Sequence, residues 1–158
     1  MSTPGVVHVF TFKAGLLSRV AHDLRLSIPG ASMVRDGPML RGEVALSGLQ
    51  VDGVMRDGRL DAAGLSARDR ASIRRTATET LLDVACHPLA SFVGTRTASA
   101  LQGRLSFRGR SVDVQLPVSD GRVIATLRPS AWGIAPYRAL MGAIQLQDRV
   151  RVEIPIPW

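Results

Sequence analysis

The chain has 158 residues, which predicts one domain that buries roughly two thirds of the surface its unfolded form exposes. Its formal net charge is +7, but the arginines are spread along the chain and aromatic residues make up only 4%, so we expect no specific nucleic-acid partner. The single cysteine, Cys86, excludes an intrachain disulfide and a zinc site built from several cysteines.

The sequence gives no targeting signal that we recognise. The opening residues, MSTPGVVHVFTFK, lack a basic segment followed by a long apolar segment, as a secretory signal would have. No run approaches the roughly 18 apolar residues of a transmembrane helix. We therefore expect a soluble, cytoplasmic protein.

Short segments of alternating apolar and polar residues dominate the chain, and this period of two is typical of β-strands. In a long strand over 20–34 we expect a bulge or an edge at Pro29 and Gly30, because proline has no N–H for the ladder. Residues 50–65 predict mostly loop, and residues 129–147 predict a mixed loop. Residues 14–19 predict a short turn or helical piece. The predicted strands are 6–13, 20–34, 39–49, 89–98, 101–108, 111–118, 122–128 and 148–157.

One α-helix is predicted over about 66–82. Ser66 and Asp69 fit a capping box, in which the hydroxyl accepts from the Asp69 N–H and the carboxylate returns to the Ser66 N–H. The apolar stripe of this helix consists of Ile73, Ala77 and Leu81. The arginines that lie away from this stripe are interpreted as a solvated face rather than a phosphate-binding ridge: Arg70, Arg74 and Arg75.

Seven or eight antiparallel strands with one inserted helix predict a mainly β fold. Closing such a sheet into an up-and-down barrel removes its exposed edges. An eight-stranded antiparallel barrel is just wide enough to be filled by side chains or to hold one small ligand. The alternation alone describes both the filled barrel and the barrel with a cavity.

The search for catalytic chemistry gives no motif. The sequence contains no nucleophile elbow, phosphate-binding loop or zinc-protease motif. Cys86 and His87 are adjacent, so on an extended chain their side chains point apart, and we interpret Cys86 as a buried, inert thiol. We predict no catalytic residue, no metal site and no cofactor.

The apolar residues of the second strand share one face with a histidine: His22, Leu24, Leu26 and Ile28. One interpretation is a core histidine whose nitrogens bond to the backbone or to a neighbouring side chain. A second is a polar contact that fixes the head group of a ligand at one end of an apolar cavity. A third is a general base or a metal ligand, and an inward-facing His8 would allow a two-histidine site.

The most distinctive stretch of the chain is residues 103–118, GRLSFRGRSVDVQLPV. It resembles the G-x-L-T-I-R-G-V-T hairpin, and the apolar strand after it, of the YceI-like family of polyisoprenoid-binding, lipocalin-like barrels. Residues 128–134, RPSAWGI, resemble the family's R-x-x-F-G-I. The helix, the segment 87–92 and the closing strand over 148–154 also fit the family's pattern.

The resemblance implies an eight-stranded lipocalin-like barrel with a covering helix, formed as a single domain over 1–158. It implies that the interior binds a long apolar ligand, such as an isoprenoid quinone, a polyprenyl lipid or a fatty acyl chain, for carriage or sequestration. The predicted ligand contacts are His22 as the polar contact, Phe10, Phe12 and Trp132 near a mouth, and a wall of Leu24, Leu26, Ile28, Val44, Leu105, Phe107, Val114, Leu116, Val152 and Ile154.

Two other functions stay open. A filled barrel would act as a protein-interaction module, through the arginine-rich face of residues 68–75. An enzyme acting on a lipid-like substrate would use His22 as acid or base. The scattered positive charge also allows transient contact with a membrane surface, and a homodimer stays open.

Overall fold

The computed structural model describes residues 2–14, 22–139 and 144–158. Eleven β-strands and one α-helix lie within these ranges. The strands are β1 (Ser2–Lys13), β2 (Leu24–Asp36), β3 (Met39–Ala45), β4 (Gln50–Arg56), β5 (Arg59–Asp61), β6 (Leu89–Arg96), β7 (Ala100–Phe107), β8 (Arg110–Ser119), β9 (Arg122–Leu127), β10 (Arg138–Ala139) and β11 (Ile144–Pro155), and the helix is α1 (Ala67–Arg75). Most of the predicted piece over 14–19, the start of the predicted second strand and residues 140–143 lie outside the described residues.

Eight of the described strands form a closed antiparallel barrel, as predicted. The order around the barrel is β1, β11, β9, β8, β7, β6, β3 and β2, and β2 pairs with β1 to complete the ring. Strands β4 and β5 extend from β2, and β10 pairs with β11. Closure leaves the eight barrel strands without free edges.

The predicted bulge lies at Pro29 and Gly30. In the pairing of β1 with β2, Gly5 lies opposite Ala31 but Val7 lies opposite Ile28, so Val6 alone faces two β2 residues. Gly30 has a φ of +79°, a conformation that glycine adopts without steric strain. On the other side of β2, residues before the bulge pair with β4 and residues after it pair with β3, so the bulge marks the exchange of partners.

The prediction of loop over residues 50–65 is wrong, because β4 and β5 lie in this segment. Gly53 and Asp61 are paired within these strands, and Asp57 and Gly58 form the turn between them. The register of β4 shifts opposite Arg25 and Leu26, so the apolar alternation of β4 is interrupted. At this shift Asp52 accepts hydrogen bonds from Arg25 Nε, at 2.7 Å, and from the Ser27 hydroxyl. The carboxylate of Asp52 is thus hydrogen-bonded on the barrel surface, and its polar character breaks the alternation that would have predicted β4.

The hairpin of β7 and β8 contains the motif that resembles the family. Its turn is formed by Arg108 and Gly109, one residue earlier than the gap at 109–110 between the predicted strands 101–108 and 111–118. Gly103 in β7 lies opposite Gly94 in β6. A Cβ atom on Gly103 would lie 2.1 Å from the carbonyl oxygen of Val93, so no larger residue fits without a backbone shift. Glycine at this position allows β6 and β7 to approach closely.

The predicted helix forms as α1 and continues as a π-helical turn over Thr76–Leu81. The Ser66 hydroxyl accepts a hydrogen bond from the Asp69 N–H at 3.0 Å, which is one half of the predicted capping box. The apolar stripe faces the barrel: Ile73 packs against the core, and Ala77 is buried within it. Within residues 2–14, 22–139 and 144–158, no helix combines the length and apolar character that a membrane crossing requires.

The interpretation of the helix arginines as a solvated face is wrong for Arg70, which is half-buried, and incomplete for Arg74, which is exposed but bonded to backbone carbonyl groups. Arg70 Nη1 donates to the carbonyl oxygens of Val51 at 2.5 Å and Asp52 at 2.8 Å, and Nη2 donates to Ala62 O. Arg74 donates to Leu49 O at 2.9 Å and to Ser47 O at 2.6 Å. Because a guanidinium group carries five donors in a rigid fork, each arginine can bind several carbonyl groups at once.

The prediction of a buried thiol is also wrong. Cys86 lies in the turn between the π-helical segment and β6, and its side chain is exposed. The backbone of this turn is held by the N–H groups of Cys86 and His87, which both donate to Asp83 O. A turn residue has no strand or helix partner to cover it, and the sequence pattern before His87–Pro88 does not reveal this.

The short helical turn Pro129–Trp132 is tied to β11 by a carboxylate. Asp148 Oδ1 accepts a hydrogen bond from the Ser130 N–H at 3.0 Å, and Oδ2 accepts from the Ser130 hydroxyl. Arg128 Nε lies 3.5 Å from Asp148 Oδ2. These two Ser130 donors, followed by the charge of Arg128, hold the pKa of Asp148 below its usual value.

We predict that Arg70→Ala lowers the free energy of unfolding by about 2 kcal/mol, because it leaves three carbonyl groups without their charged donor. Urea unfolding followed by circular dichroism measures the change. The matched control is Arg68→Ala, on the same helix with an exposed side chain, which we expect to change stability by less than about 0.5 kcal/mol. Equal effects of the two substitutions would contradict the anchoring role of Arg70.

Asp148 predicts a specific sensitivity to acid. Because its pKa is lower in the folded chain than in the unfolded chain, its contribution to stability is present above about pH 4 and is lost as the pH falls through the folded pKa. The difference in thermal midpoint between the wild type and Asp148→Asn should therefore shrink from pH 7 to pH 2. Asp113→Asn, at an exposed ion pair with Arg104, is the control and should show a smaller difference throughout.

Candidate ligand-binding cavity

The barrel interior contains a cavity of about 300 Å³ that is partly open to solvent. Its wall is formed by the inward-facing residues of the barrel strands, which alternate with residues on the outer surface. At one end the cavity is closed by the helical segment, through Ala77, Leu81 and Leu82. Side chains of Leu40, Leu101 and Ile156 line the wall towards the other end. The cavity is almost entirely apolar.

Eight of the predicted contact residues line this cavity: Leu26, Ile28, Val44, Leu105, Phe107, Leu116, Val152 and Ile154. They lie on β2, β3, β7, β8 and β11, so one cavity collects residues that are far apart in the sequence. Their apolar alternation is the signal that identified them. Their role in ligand binding stays a prediction.

Two predicted wall residues lie outside the cavity lining. Leu24 is buried near the start of β2, opposite Val54 of β4. On its other side it lies opposite Thr11 of β1, but its side chain does not reach the cavity. Val114 is half-buried and packs against the core cluster without reaching the cavity.

The aromatic residues of β1 lie on the outer surface and not at a mouth. Val7 and Val9 line the cavity, so Phe10 and Phe12, which alternate with them, point outwards. The Phe10 ring lies 4.3 Å from the Arg151 guanidinium carbon, and the Phe12 ring lies 4.1 Å from that of Arg149. Cation–π contact of this kind covers an exposed aromatic face. Phe10 is only 7% exposed as a result of its neighbours, although it faces away from the interior.

Neither His8 nor His22 is among the described residues that line the cavity. His22 lies just before β2 and is half-buried. His8 alternates with Val7 and Val9 and lies opposite Glu153 of β11, on the outer surface. The two histidines therefore do not form an inward-facing pair.

Trp132 packs against two residues of the cavity wall, Phe107 and Leu105. Its ring stacks on Phe107 with a centroid separation of 4.7 Å, and its Nε1–H donates to Leu105 O at 3.0 Å. The side chain is only 2% exposed. Phe107 and Leu105 line the cavity, whereas Trp132 does not. Trp132 thus orients the lining residues of β7, although its own side chain does not contact the cavity.

The prediction missed many lining residues, among them Val7, Val9, Thr11, Met33, Val123 and Ala125. The alternation of β1 contains the signal for the first three. Thr11 differs from its neighbours because its Oγ1 atom is buried and has no hydrogen-bond partner among the described residues. Ser32, Glu43 and Ser91 also border the cavity, but they lie opposite one another on strands whose inward positions are Ala31, Val44 and Phe92, so their side chains point outwards.

The comparisons with known proteins agree with this architecture. A family model described as YceI-like domain matches residues 40–157. A solved structure described as a polyisoprenoid binding domain from Saccharophagus degradans, implicated in plant cell wall breakdown, superposes with a TM-score of 0.55. The superposition covers 97% of this chain and 94% of that chain at 9% sequence identity, so it is a similarity of fold. A search of curated proteins gives no match. Because the family model spans most of the chain, the chain belongs to the YceI-like family.

Proposed function

We propose that the protein binds an apolar, isoprenoid-like molecule in the barrel interior, for carriage or sequestration. The observation that carries this proposal is the apolar cavity of about 300 Å³ inside a closed barrel. Membership of the YceI-like family supports it, as does the similarity in fold to a domain described as polyisoprenoid binding. The cavity lies at the lower end of the volumes typical of ligand pockets.

The volume sets the size of the enclosed part of the ligand. An engineered cavity of about 150 Å³ binds benzene, so twice that volume accommodates roughly a dozen carbon atoms. At about 0.8 kcal/mol per buried methylene group, such a chain gains on the order of 10 kcal/mol before the costs of association. This gain supports affinities on the order of micromolar and needs no catalytic group.

The alternatives receive less support. A filled barrel needs side chains that occupy the interior, whereas small residues such as Ala31, Gly42 and Ala125 leave space along this cavity. An enzyme that uses His22 needs that side chain beside the substrate, but His22 does not line the cavity. The arginines expected to mediate protein contact include Arg70 and Arg74, which are engaged with backbone carbonyl groups.

We predict that the purified protein takes up one molecule of a 15-carbon isoprenoid, such as farnesol, and that Ala125→Phe abolishes this uptake. Ala125 lines the cavity, so a phenyl ring at this position fills space that the ligand needs. Native mass spectrometry measures the stoichiometry, and displacement of the neutral fluorescent probe N-phenyl-1-naphthylamine measures the affinity.

The matched control is Ile124→Phe. Ile124 is the adjacent residue of β9, is 39% exposed and lies on the outer surface. This variant should bind like the wild type, and circular dichroism should show that both variants are folded. Absence of any isoprenoid binding by the wild type, or unchanged binding by a folded Ala125→Phe variant, would overturn the proposal.

A further inference from the structure

Thr11 is the exception in an otherwise apolar strand face. Val7, Val9 and Thr11 alternate along β1 and all three line the cavity. Thr11 lies opposite Val150 of β11, which lines the cavity too. The strand alternation therefore points the Thr11 side chain inwards, with apolar side chains beside it.

The Thr11 hydroxyl has no protein partner that the structure describes. Its Oγ1 atom is buried, and no described donor or acceptor lies within hydrogen-bond distance. An unpaired hydroxyl destabilises a folded protein when it is removed from water, because its hydrogen bonds to water are not replaced. Valine has nearly the same shape and a high strand propensity, so an empty, purely apolar cavity would be more stable with valine here.

The environment of this hydroxyl selects the chemistry of its partner. A threonine hydroxyl both donates and accepts, so it pairs with an alcohol, an ether or a carbonyl oxygen. No lysine, arginine or histidine is among the described residues that line the cavity. A carboxylate or phosphate group at this depth would lose its hydration without gaining an opposite charge. A partner in this cavity would therefore be an uncharged polar group, and on an isoprenoid-like ligand that group is an oxygen.

The register places this contact near one end of the cavity. Thr11 lies two residues before the end of β1, and β3, which runs in the same direction, ends at Ala45 on the same rim. Strand β6 begins at this rim, where Leu89 lies opposite Ala45, and the turn over residues 82–88 joins it to the helical segment. From Thr11, the apolar wall continues through Val9 and Val7 towards Ile154.

We propose that Thr11 is the specificity-determining residue of the cavity, and that the ligand is an apolar chain with an uncharged, hydrogen-bonding oxygen near its helix-covered end. This inference rests on the proposed function. It assigns the polar recognition to Thr11, whose hydroxyl has no hydrogen-bond partner among the described residues.

The test compares farnesol with farnesene, a hydrocarbon of the same carbon number, by displacement of N-phenyl-1-naphthylamine. Thr11→Val should reduce the ratio of farnesol affinity to farnesene affinity by about fivefold to tenfold, because only the alcohol loses a hydrogen bond. Thr11→Ser, which keeps the hydroxyl, should preserve the ratio of the wild type. The empty Thr11→Val protein should also unfold at a higher temperature than the empty wild type.

The control variant is Thr126→Val, the same substitution at an exposed position on β9, which should leave the ratio unchanged. If the wild type binds both compounds and Thr11→Val leaves their affinity ratio unchanged, the role of Thr11 is wrong while the proposed function stands. If the wild type binds neither compound, the proposed function and this inference both fail. The outcomes therefore separate the two.

Discussion

The closure of the sheet by the pairing of β1 with β2 is the constraint on which the rest of the structure depends. Once the ring is closed, every side chain of the eight barrel strands points either inwards or outwards. Residues that lie opposite each other on neighbouring strands must therefore point to the same side. The bulge at Pro29 and Gly30 satisfies this condition while β2 exchanges one partner strand for another. The strand number sets the volume inside the barrel. Because some of the inward-facing side chains are small, they do not fill this volume, and the cavity remains.

The cover over one end of the barrel depends on a second kind of interaction. Strand β4 and the turn before it present carbonyl groups towards the helix, and Arg70 and Arg74 bind them. This places Ala77 and Leu81 over the cavity. Polar contacts outside the barrel thus hold the apolar cover of the cavity in place, so the cover and the barrel core are stabilised by different forces.

The alternation of the sequence predicted the barrel, the helix and much of the cavity wall, because period and hydrophobicity are local properties. It did not predict that Phe10 lies on the outer surface. A phenylalanine that an arginine covers there is as hydrophobic in the sequence as one that faces the core. It missed β4 because Asp52 interrupts the apolar alternation of this strand. The hydrogen bonds from Arg25 and Ser27 that allow a carboxylate there come from a neighbouring strand. It did not single out Thr11, because an unpaired hydroxyl is visible only when the surrounding donors and acceptors are known.

The strong preference of this chain for arginine over lysine has a structural consequence. Arginine planes cover aromatic rings at Phe10, Phe12 and Trp158, and arginine forks bind the carbonyl groups beneath the helix. A lysine ammonium is a point charge that can neither stack as a plane nor bridge several acceptors in a fixed geometry. Exchanging arginine for lysine would keep the net charge but lose this planar stacking, so in this protein the arginine side chains cover aromatic surface as well as carry charge.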